Sequence, residues 1–348
     1  MNPTPGAAPA RPIEFTGRGG EYFRIWIVNL ALTILTLGIY SAWAKVRRLQ
    51  YFYRNTAIGG NGFDFHGDPK AILKGRLIAV GLLVAYNVIG YFSVALGLIV
   101  LAGLLAVFPW LIQRSLCFKL QNSSYRGLRF RFAGTVGGAY QAFLLWPVVA
   151  YVTLGLMMPL AHREIKRYQH NSSRFGDASF RFDASAGQFY RIYLVVFGVV
   201  FLGVLLLVAA AVASVAYAAD PQTRSALMGT IFLAIIVFYL LLFLVIGPWF
   251  SARMQNLVWN HTALGPHAFR SQVRARDLFA ITLTNFLGIV LTLGLYKPFA
   301  DIRLARYRLT HMALAATSDL DEFLAAQERA VSALGEETAD VFDVDISF

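Results

Sequence analysis

Long stretches without a charged residue constrain the fold of this chain more than any other feature. Arg76 is followed by 37 uncharged residues, Leu77–Gln113, and Arg191 is followed by 28, Ile192–Ala219. A helix needs about 20 apolar residues to cross the hydrocarbon core of a bilayer. The first stretch is long enough for two crossing helices and the second for one. The sequence therefore predicts an integral membrane protein.

The composition agrees with a membrane protein and excludes other classes. Hydrophobic residues make up 57% of the chain and charged residues 14%, whereas a soluble domain has about 45–50% and about 25%. A soluble enzyme of this length needs more surface charge, and a disordered chain needs lower hydrophobicity. A disulfide scaffold is excluded because Cys117 has no second cysteine to pair with.

Seven segments have the length and hydrophobicity of membrane helices. Four are expected to cross the bilayer, at about 77–93, 96–113, 190–217 and 227–250. Three others lie at about 22–43, 139–160 and 278–299. Each of these three has a Thr-Leu-Gly step near its far end, where glycine permits a kink or a break. The first, fourth and seventh segments therefore either cross the bilayer or re-enter on the same side.

An internal repeat organises the basic parts of the chain. The stretch LTLGIYSAWAKVRRLQY at positions 35–51 recurs 256 residues later as LTLGLYKPFADIRLARY, and a third copy lies at 153–173. In the common unit an apolar helix is followed by a basic helical stretch and then by an Asn with Ser or Thr. A short alternating segment ends the unit, as in Phe63–Phe65, Phe130–Phe132 and Phe180–Phe182.

These alternating segments are typical of short strands. With a period of two, both rings of Phe-x-Phe face one way and the residue between them faces water. Since three residues do not make a stable strand alone, the alternatives are one small sheet or interfacial loops anchored by Phe. We favour an all-α polytopic membrane protein built from repeats, in which these strands form a small sheet at the cytoplasmic membrane surface. Its membrane domain is predicted to span 13–316.

The distribution of basic residues favours re-entry of the three ambiguous segments. If all three crossed, large Lys/Arg clusters would lie on both sides of the membrane, against the positive-inside rule. If they re-enter, every basic unit shares the cytoplasmic face and only Arg224 lies on the other. Against this arrangement, 20 uncharged residues also fit a complete crossing.

The two ends of the chain differ from the membrane domain. Residues 1–12 are rich in Pro and Ala and are predicted to be a disordered lead-in. Residues 1–316 carry a net charge of +20, from 30 Lys/Arg and 10 Asp/Glu, while 317–348 carry −8, from one Arg and nine acidic residues. This amphipathic tail is expected to fold over the basic face, to bind a protein partner, or to stay solvated.

The favoured function is that of a membrane-embedded binding or scaffold protein. Basic residues beside membrane helices are favourable next to anionic headgroups, so we expect lipid rather than nucleic acid as the partner. The candidate lipid-binding residues are Lys45, Arg47, Arg48, Arg54, Arg303 and Arg306. The alternative is a channel or facilitator with a small-solute site between the first and last repeats, because broken helices in paired repeats are typical of transporter sites. Its candidate residues are Asn29, Gly38, Asn285 and Gly294.

Enzymatic, metal and cofactor chemistry find no support in the sequence. The six histidines lack zinc-ligand spacing, and neither a Gly-x-Ser-x-Gly elbow nor a P-loop occurs. The cluster of His66 and Asp68 is interpreted as a turn that caps the helix beginning at Pro69. Cys117 is interpreted as a structural thiol. We therefore predict no catalytic residue, no metal ligand and no cofactor.

Three stretches resemble one known family, and the resemblance extends from about Phe15 to the C-terminus. They are GEYFRIWIVNLALTILTLGIYSAWAKVRRLQYFYRNT, GFDFHGDPKAILKGR and SALGEETADVFDVDI. They are similar to the YjgN-like bacterial inner-membrane proteins, a family of unknown function. The resemblance implies a multi-pass protein of the bacterial inner membrane and implies no substrate, cofactor or catalytic residue.

Overall fold

The structure is a computed structural model that describes residues 10–217, 220–316, 322–327 and 329. In these residues a pair of helices followed by short strands occurs five times along the chain. The helices are α1 (Gly19–Leu35), α2 (Ser41–Arg54), α3 (Pro69–Phe92), α4 (Val94–Gln121), α5 (Val136–Tyr140), α6 (Trp146–Val152), α7 (Met158–Asn171), α8 (Ala186–Tyr217), α9 (Pro221–Leu241), α10 (Gly247–Asn260), α11 (Ala275–Leu291) and α12 (Lys297–Thr310). The π-helical turns Gln141–Leu145 and Leu242–Ile246 join α5 to α6 and α9 to α10.

The strands form one closed antiparallel barrel. They are β1 (Ala10–Phe15), β2 (Thr56–Ile58), β3 (Asn61–Phe65), β4 (Ser123–Tyr125), β5 (Leu128–Phe132), β6 (Ser173–Phe175), β7 (Ala178–Phe182), β8 (Thr262–Leu264), β9 (His267–Ser271) and β10 (Met312–Ala315). Around the barrel the order is β1-β10-β9-β8-β7-β6-β5-β4-β3-β2. The prediction of an all-α protein with a small sheet was therefore wrong. Closure gives each short strand a neighbour on both sides, which no small open sheet could do for its edge strands.

Phenylalanine side chains fix the inward face of the strands. Phe65 and Phe132 end their strands with rings that are almost fully buried, and each is followed two residues later by a glycine. A Cβ atom on Gly67 or Gly134 would lie 2.5 Å from the ring of that phenylalanine. Only glycine lets the chain leave these strands so close to the ring, and this explains the Phe-x-Gly pattern.

All five helix pairs leave the barrel at the same rim. Each pair begins after an odd-numbered strand and ends before an even-numbered one. Because neighbouring strands are antiparallel, these strand ends meet at one end of the barrel. The two-residue hairpin turns, such as Gly59–Gly60 and Arg126–Gly127, lie at the other end.

Three of the pairs are short and share one geometry. The helices α1 and α11 have 17 residues, their partners α2 and α12 have 14, and five residues join each pair. In the turn between α1 and α2, Leu37 has φ 50° and Gly38 has φ 91°. The φ angles are also positive at Leu154–Gly155 and Leu293–Gly294 in the other two short pairs. The first segment, expected to be helical over 22–43, is therefore interrupted at 36–40. Left-handed residues end a helix, so each Thr-Leu-Gly step reverses the chain.

The other two pairs are long. Four helices are long and apolar enough to cross a membrane: Pro69–Phe92, Val94–Gln121, Ala186–Ser214 and Pro221–Asn260. They overlap the four segments that the sequence predicts to cross. Within the first long pair the helices approach closely, since a Cβ atom on Gly97 would lie 2.9 Å from the Cα atom of Gly90.

Described residues near both ends of the chain take part in the barrel. Ala10 pairs with Ala315, so the last three residues of the predicted lead-in belong to β1, while residues 1–9 lie outside the described residues. Of the predicted tail, 322–327 form a helical turn. Leu324 is 3% exposed in the barrel core, and Gln327 Oε1 accepts hydrogen bonds from two backbone N–H groups of the β6–β7 turn. The remainder of the tail lies outside the described residues.

Candidate functional site

The second helix of each pair surrounds a central cavity, which we call the axial chamber. Helices α2, α4, α7, α10 and α12 and the inner face of the barrel line it. Its volume is about 970 Å³, at the upper end of the roughly 300–1,000 Å³ typical of small-molecule sites. The chamber is therefore large enough for the polar part of a lipid or for a metabolite.

The lower part of the chamber is apolar. Aromatic rings from several strands contact one another around its axis: Phe63 and Tyr125 at 4.8 Å between centroids, and Phe130 and Phe175 at 4.9 Å. Leu324 lies among them and closes the end of the barrel away from the helices. This part of the chamber is a packed core and offers little to a charged ligand.

The neck above the rings is lined by hydroxyl groups. Thr56, Ser123 and Ser173 are the first residues of β2, β4 and β6. Each hydroxyl donates to the carbonyl oxygen four residues earlier, at 2.7 to 2.8 Å. These bonds cap the ends of the second helices, and Ser123 Oγ also lies 3.3 Å from the hydroxyl oxygen of Tyr53.

The upper part of the chamber is cationic. Lys119, Lys166 and Arg308 line it from α4, α7 and α12. Arg308 Nη2 donates to Ser251 Oγ at 2.6 Å, and its buried Nε has no hydrogen-bond partner. In the part of the chain that the structure describes, no Asp or Glu lines the chamber, so its wall carries three basic side chains and no acidic one.

Burial and mutual repulsion affect the ionisable groups here. Burial lowers the pKa of Lys166, and the nearby Lys119 lowers it further. Burial, with a smaller contribution from Lys166, lowers the pKa of His162 and of His170 to about 4. Both imidazoles are therefore neutral near pH 7 and can donate or accept a hydrogen bond without adding charge.

The six basic residues chosen from the sequence lie outside the chamber. All six are exposed. Arg47 and Arg48 lie over the rings of Tyr40 and Phe52, and three others form hydrogen bonds or ion pairs with the protein. Arg54 pairs with Asp64 at 2.9 Å, and Arg306 Nη2 donates to the carbonyl oxygen of Gly17 at 2.7 Å. Arg303 Nη1 donates to Thr284 Oγ1 at 3.1 Å. Lys45, Arg47 and Arg48 lie on the exposed side of α2.

The four predicted solute-site residues do not meet at one cavity wall. Asn29 and Asn285 are buried within the first and last helix pairs, and Asn285 Nδ2 donates to the carbonyl oxygen of Ala300 in the facing helix. Gly38 and Gly294 lie in the turns at the far ends of those pairs. None of these four residues is among the described residues that line the chamber.

The other singled-out residues have local roles. Asp68 Oδ1 accepts a hydrogen bond from the backbone N–H of Lys70 at 2.9 Å, which confirms its predicted capping role. His66 Nε2 lies 2.8 Å from Ser124 Oγ. Cys117 is half-buried, near Gln113. Among the described residues there is no group of three or more His, Cys, Asp or Glu side chains that could hold a metal ion.

Sequence reasoning missed the three chamber cations. Lys119 and Arg308 lie four residues before the first residue of the following strand, and Lys166 lies seven before. Seven residues are nearly two helical turns and four are just over one, so these positions face the same side of their helices. That register is readable from the sequence only when the first strand residue is known.

Comparisons with known proteins place the chain among bacterial membrane proteins. A family model described as bacterial protein of unknown function (DUF898) matches residues 10–341. The inner membrane protein YjgN of Salmonella typhimurium is 29% identical over 147 residues, which are 42% of this chain and 37% of that protein. The protein of the same name from Escherichia coli strain K12 is 27% identical over 156 residues, with the same shares. The chain thus matches little more than a third of the length of these relatives. No solved structure matches it.

Proposed function

Because the chain belongs to the DUF898 family of bacterial proteins of unknown function, with inner membrane proteins as relatives, we propose that it binds lipid within that membrane. In this proposal the protein holds the anionic headgroup of a lipid in the axial chamber. Its exposed basic residues contact the surrounding headgroups. The presence of three cations in one chamber without an acid is the observation that supports the proposal most strongly.

The single rim from which all helix pairs leave supports a membrane on one side of the barrel. The long pairs then cross and return. The apical residues Leu37, Leu154 and Leu293 of the short pairs are each 95% exposed and have positive φ. In water such a leucine would combine a strained backbone with exposed apolar surface. In lipid the side chain is solvated, so we propose that the short pairs re-enter.

The charge distribution supports a barrel on the cytoplasmic side. If the barrel and all the basic repeats lie on one face of the membrane, then among the described residues only Arg224, at the start of α9, is a basic residue on the opposite face. The candidate residues Lys45, Arg47, Arg48, Arg54, Arg303 and Arg306 then lie at or below the cytoplasmic headgroups. The positive-inside rule favours this orientation.

The upper edge of the chamber lies at the level of the headgroups. His162 and Ser251 line that edge and, like Lys45, lie eleven residues before the first residue of the following strand. Lys119 and Lys166 lie four to seven residues closer to the barrel, or about 6–10 Å deeper. A lipid can therefore lower its headgroup to these cations while its chains stay at the depth of the bilayer.

The test compares two double variants in detergent, with bound lipid counted by native mass spectrometry. Lys119→Gln with Lys166→Gln should lower the retention of anionic phospholipid at least tenfold, since each hydrogen bond to a charged group contributes about 1.5–3 kcal/mol. The control removes two exposed charges from the outside of the barrel, by Arg129→Gln with Arg174→Gln, and should retain lipid as the parent does.

Three outcomes would contradict the proposal. One is equal loss of lipid in both double variants, and another is equal retention of anionic and zwitterionic lipid by the parent. The third is binding of inorganic phosphate as tight as that of lipid, which would indicate a free anion as the ligand.

A further inference from the structure

We propose that the headgroup held in the axial chamber ends in a phosphate, as a phosphomonoester or a diphosphate, and that it is not the phosphodiester of an ordinary phospholipid. This inference rests on the proposed function and names the class of ligand that the chamber selects.

The number of charges in the chamber favours such a headgroup. Lys119, Lys166 and Arg308 place three positive charges in its upper part. Lys45 is close enough to Lys119 for the two charges to interact. A phosphodiester brings one negative charge and would leave at least two positive charges uncompensated. A phosphomonoester brings about 1.5 to 2 at neutral pH, and a diphosphate brings more.

The arrangement of the cations points to the same class. Lys119, Lys166 and Arg308 come from α4, α7 and α12, and two further helices, α2 and α10, lie between them around the axis. The three side chains therefore line the chamber from three sides. A terminal phosphate presents three free oxygens as hydrogen-bond acceptors. A phosphodiester keeps only two, because ester links occupy its other positions, and the second link would have to pass between the cations.

Neutral donors complete the chamber around these charges. Gln169 and Gln255 line it from α7 and α10. Their amide N–H groups can bind phosphate oxygens without further repulsion between cations. The set of donors is therefore larger than one anionic charge requires.

The pH dependence of binding separates this ligand class from others. The second ionisation of a phosphomonoester has a pKa of about 6, so its dianion predominates at pH 7.5 and is the minor form at pH 5.5. A phosphodiester keeps one charge throughout. On the protein side, the ionisable groups that face the chamber are Lys119, Lys166, Arg308, His162, His170, Tyr53 and Tyr125, while Lys45 lies near Lys119 and Arg76 lies near Lys45.

As the pH falls, the ionisable groups of the protein either leave anion binding unchanged or strengthen it. The pKa of His162 and of His170 is about 4, so both stay neutral from pH 7.5 to 5.5. Any additional protonation of Lys166, whose pKa burial and Lys119 lower, would strengthen anion binding as the pH falls. Weaker binding at pH 5.5 therefore has to come from the ligand.

The experiment uses the full chain in detergent and two probes with the same acyl chains. They are phosphatidic acid, a phosphomonoester, and phosphatidylmethanol, its methyl phosphodiester. At pH 7.5 phosphatidic acid should bind at least tenfold more tightly. At pH 5.5 the preference should fall at least threefold. Lys166→Gln should reduce the preference at pH 7.5, and the exterior control Arg129→Gln with Arg174→Gln should keep it.

The outcomes distinguish this inference from the proposed function. Equal binding of the two probes at pH 7.5, or a preference that is unchanged or larger at pH 5.5, would overturn the terminal phosphate and leave lipid binding in place. Failure of both probes to bind would overturn both proposals. If inorganic phosphate competes as strongly as phosphatidic acid, the phosphate specificity holds and the lipid assignment is overturned.

Discussion

The depth of the short helix pairs in the membrane is the prediction that tests the architecture most directly. In α1 the last charged residue is Arg24, and eleven apolar or neutral residues follow it to Leu35. At 1.5 Å per residue they extend about 17 Å from the headgroups. In α11 the fourteen residues after Asp277 extend about 21 Å. A hydrocarbon core of about 30 Å would therefore enclose both apices about 10 Å short of the far surface.

Single cysteines in a Cys117→Ser background measure this depth. Leu35→Cys and Leu291→Cys replace residues that are 77% and 82% exposed. In intact membranes they should react with impermeant maleimides from neither side, and they should react after solubilisation. Asn61→Cys, at the barrel turn, should react only from the cytoplasmic side. Gln222→Cys, at the start of α9, should react only from the periplasmic side. Labelling of position 35 or 291 from the periplasm would refute re-entry.

Three further predictions concern the barrel and its helices. Gly134→Ala should destabilise the protein by about 1–3 kcal/mol in thermal unfolding, because its Cβ atom would lie 2.5 Å from a phenylalanine ring. Gly137→Ala is the control, because its Cβ atom meets open space, and it should leave the stability unchanged or raise it. An equal loss of stability in both glycine variants would contradict the packing argument. Leu324→Ala should cost about 2–4 kcal/mol, and an unchanged melting temperature would mean that the barrel does not need this side chain. The pKa of His170, about 4 in the fold against 6.5 ordinarily, means that the unfolded chain binds the extra proton, so stability should fall as the pH drops from 6.5 to 4. His170→Gln should make the free energy of unfolding less dependent on pH in this range. If the variant loses stability with falling pH as steeply as the parent does, the assigned role of His170 is refuted.

The membrane helices could be predicted from the sequence because their signal is local. The uncharged run from Leu77 to Gln113 needs no knowledge of the rest of the chain. The barrel could not be predicted, because its strands are short and their partners are distant. Phe63 pairs with Tyr125, and Ala10 pairs with Ala315. A strand such as Ser123–Tyr125 also has no alternation to reveal it.

The site was harder to predict than the fold. Arg47 and Arg303 were predicted to bind lipid as basic residues beside membrane helices, and both are exposed on the outside of the chamber. Lys166 lies in the third copy, at 153–173, and Lys119 lies outside the three matching stretches. Whether a basic residue of an amphipathic helix faces the axis or the exterior depends on where the following strand begins. The sequence does not show that starting point for strands of three residues.

The architecture itself offers a reason to assign the chamber cations to a ligand. Four residues before the following strand, the five second helices carry Phe52, Lys119, Gln169, Val258 and Arg308, and all five line the chamber. The same position therefore accepts an aromatic ring and a β-branched aliphatic side chain, so the fold does not require charge there. Moving a cation out of water is costly unless it is paired. A lysine and an arginine at positions where apolar residues also fit thus reduce the stability of the empty chamber. Neutralisation by a bound anion offsets that cost.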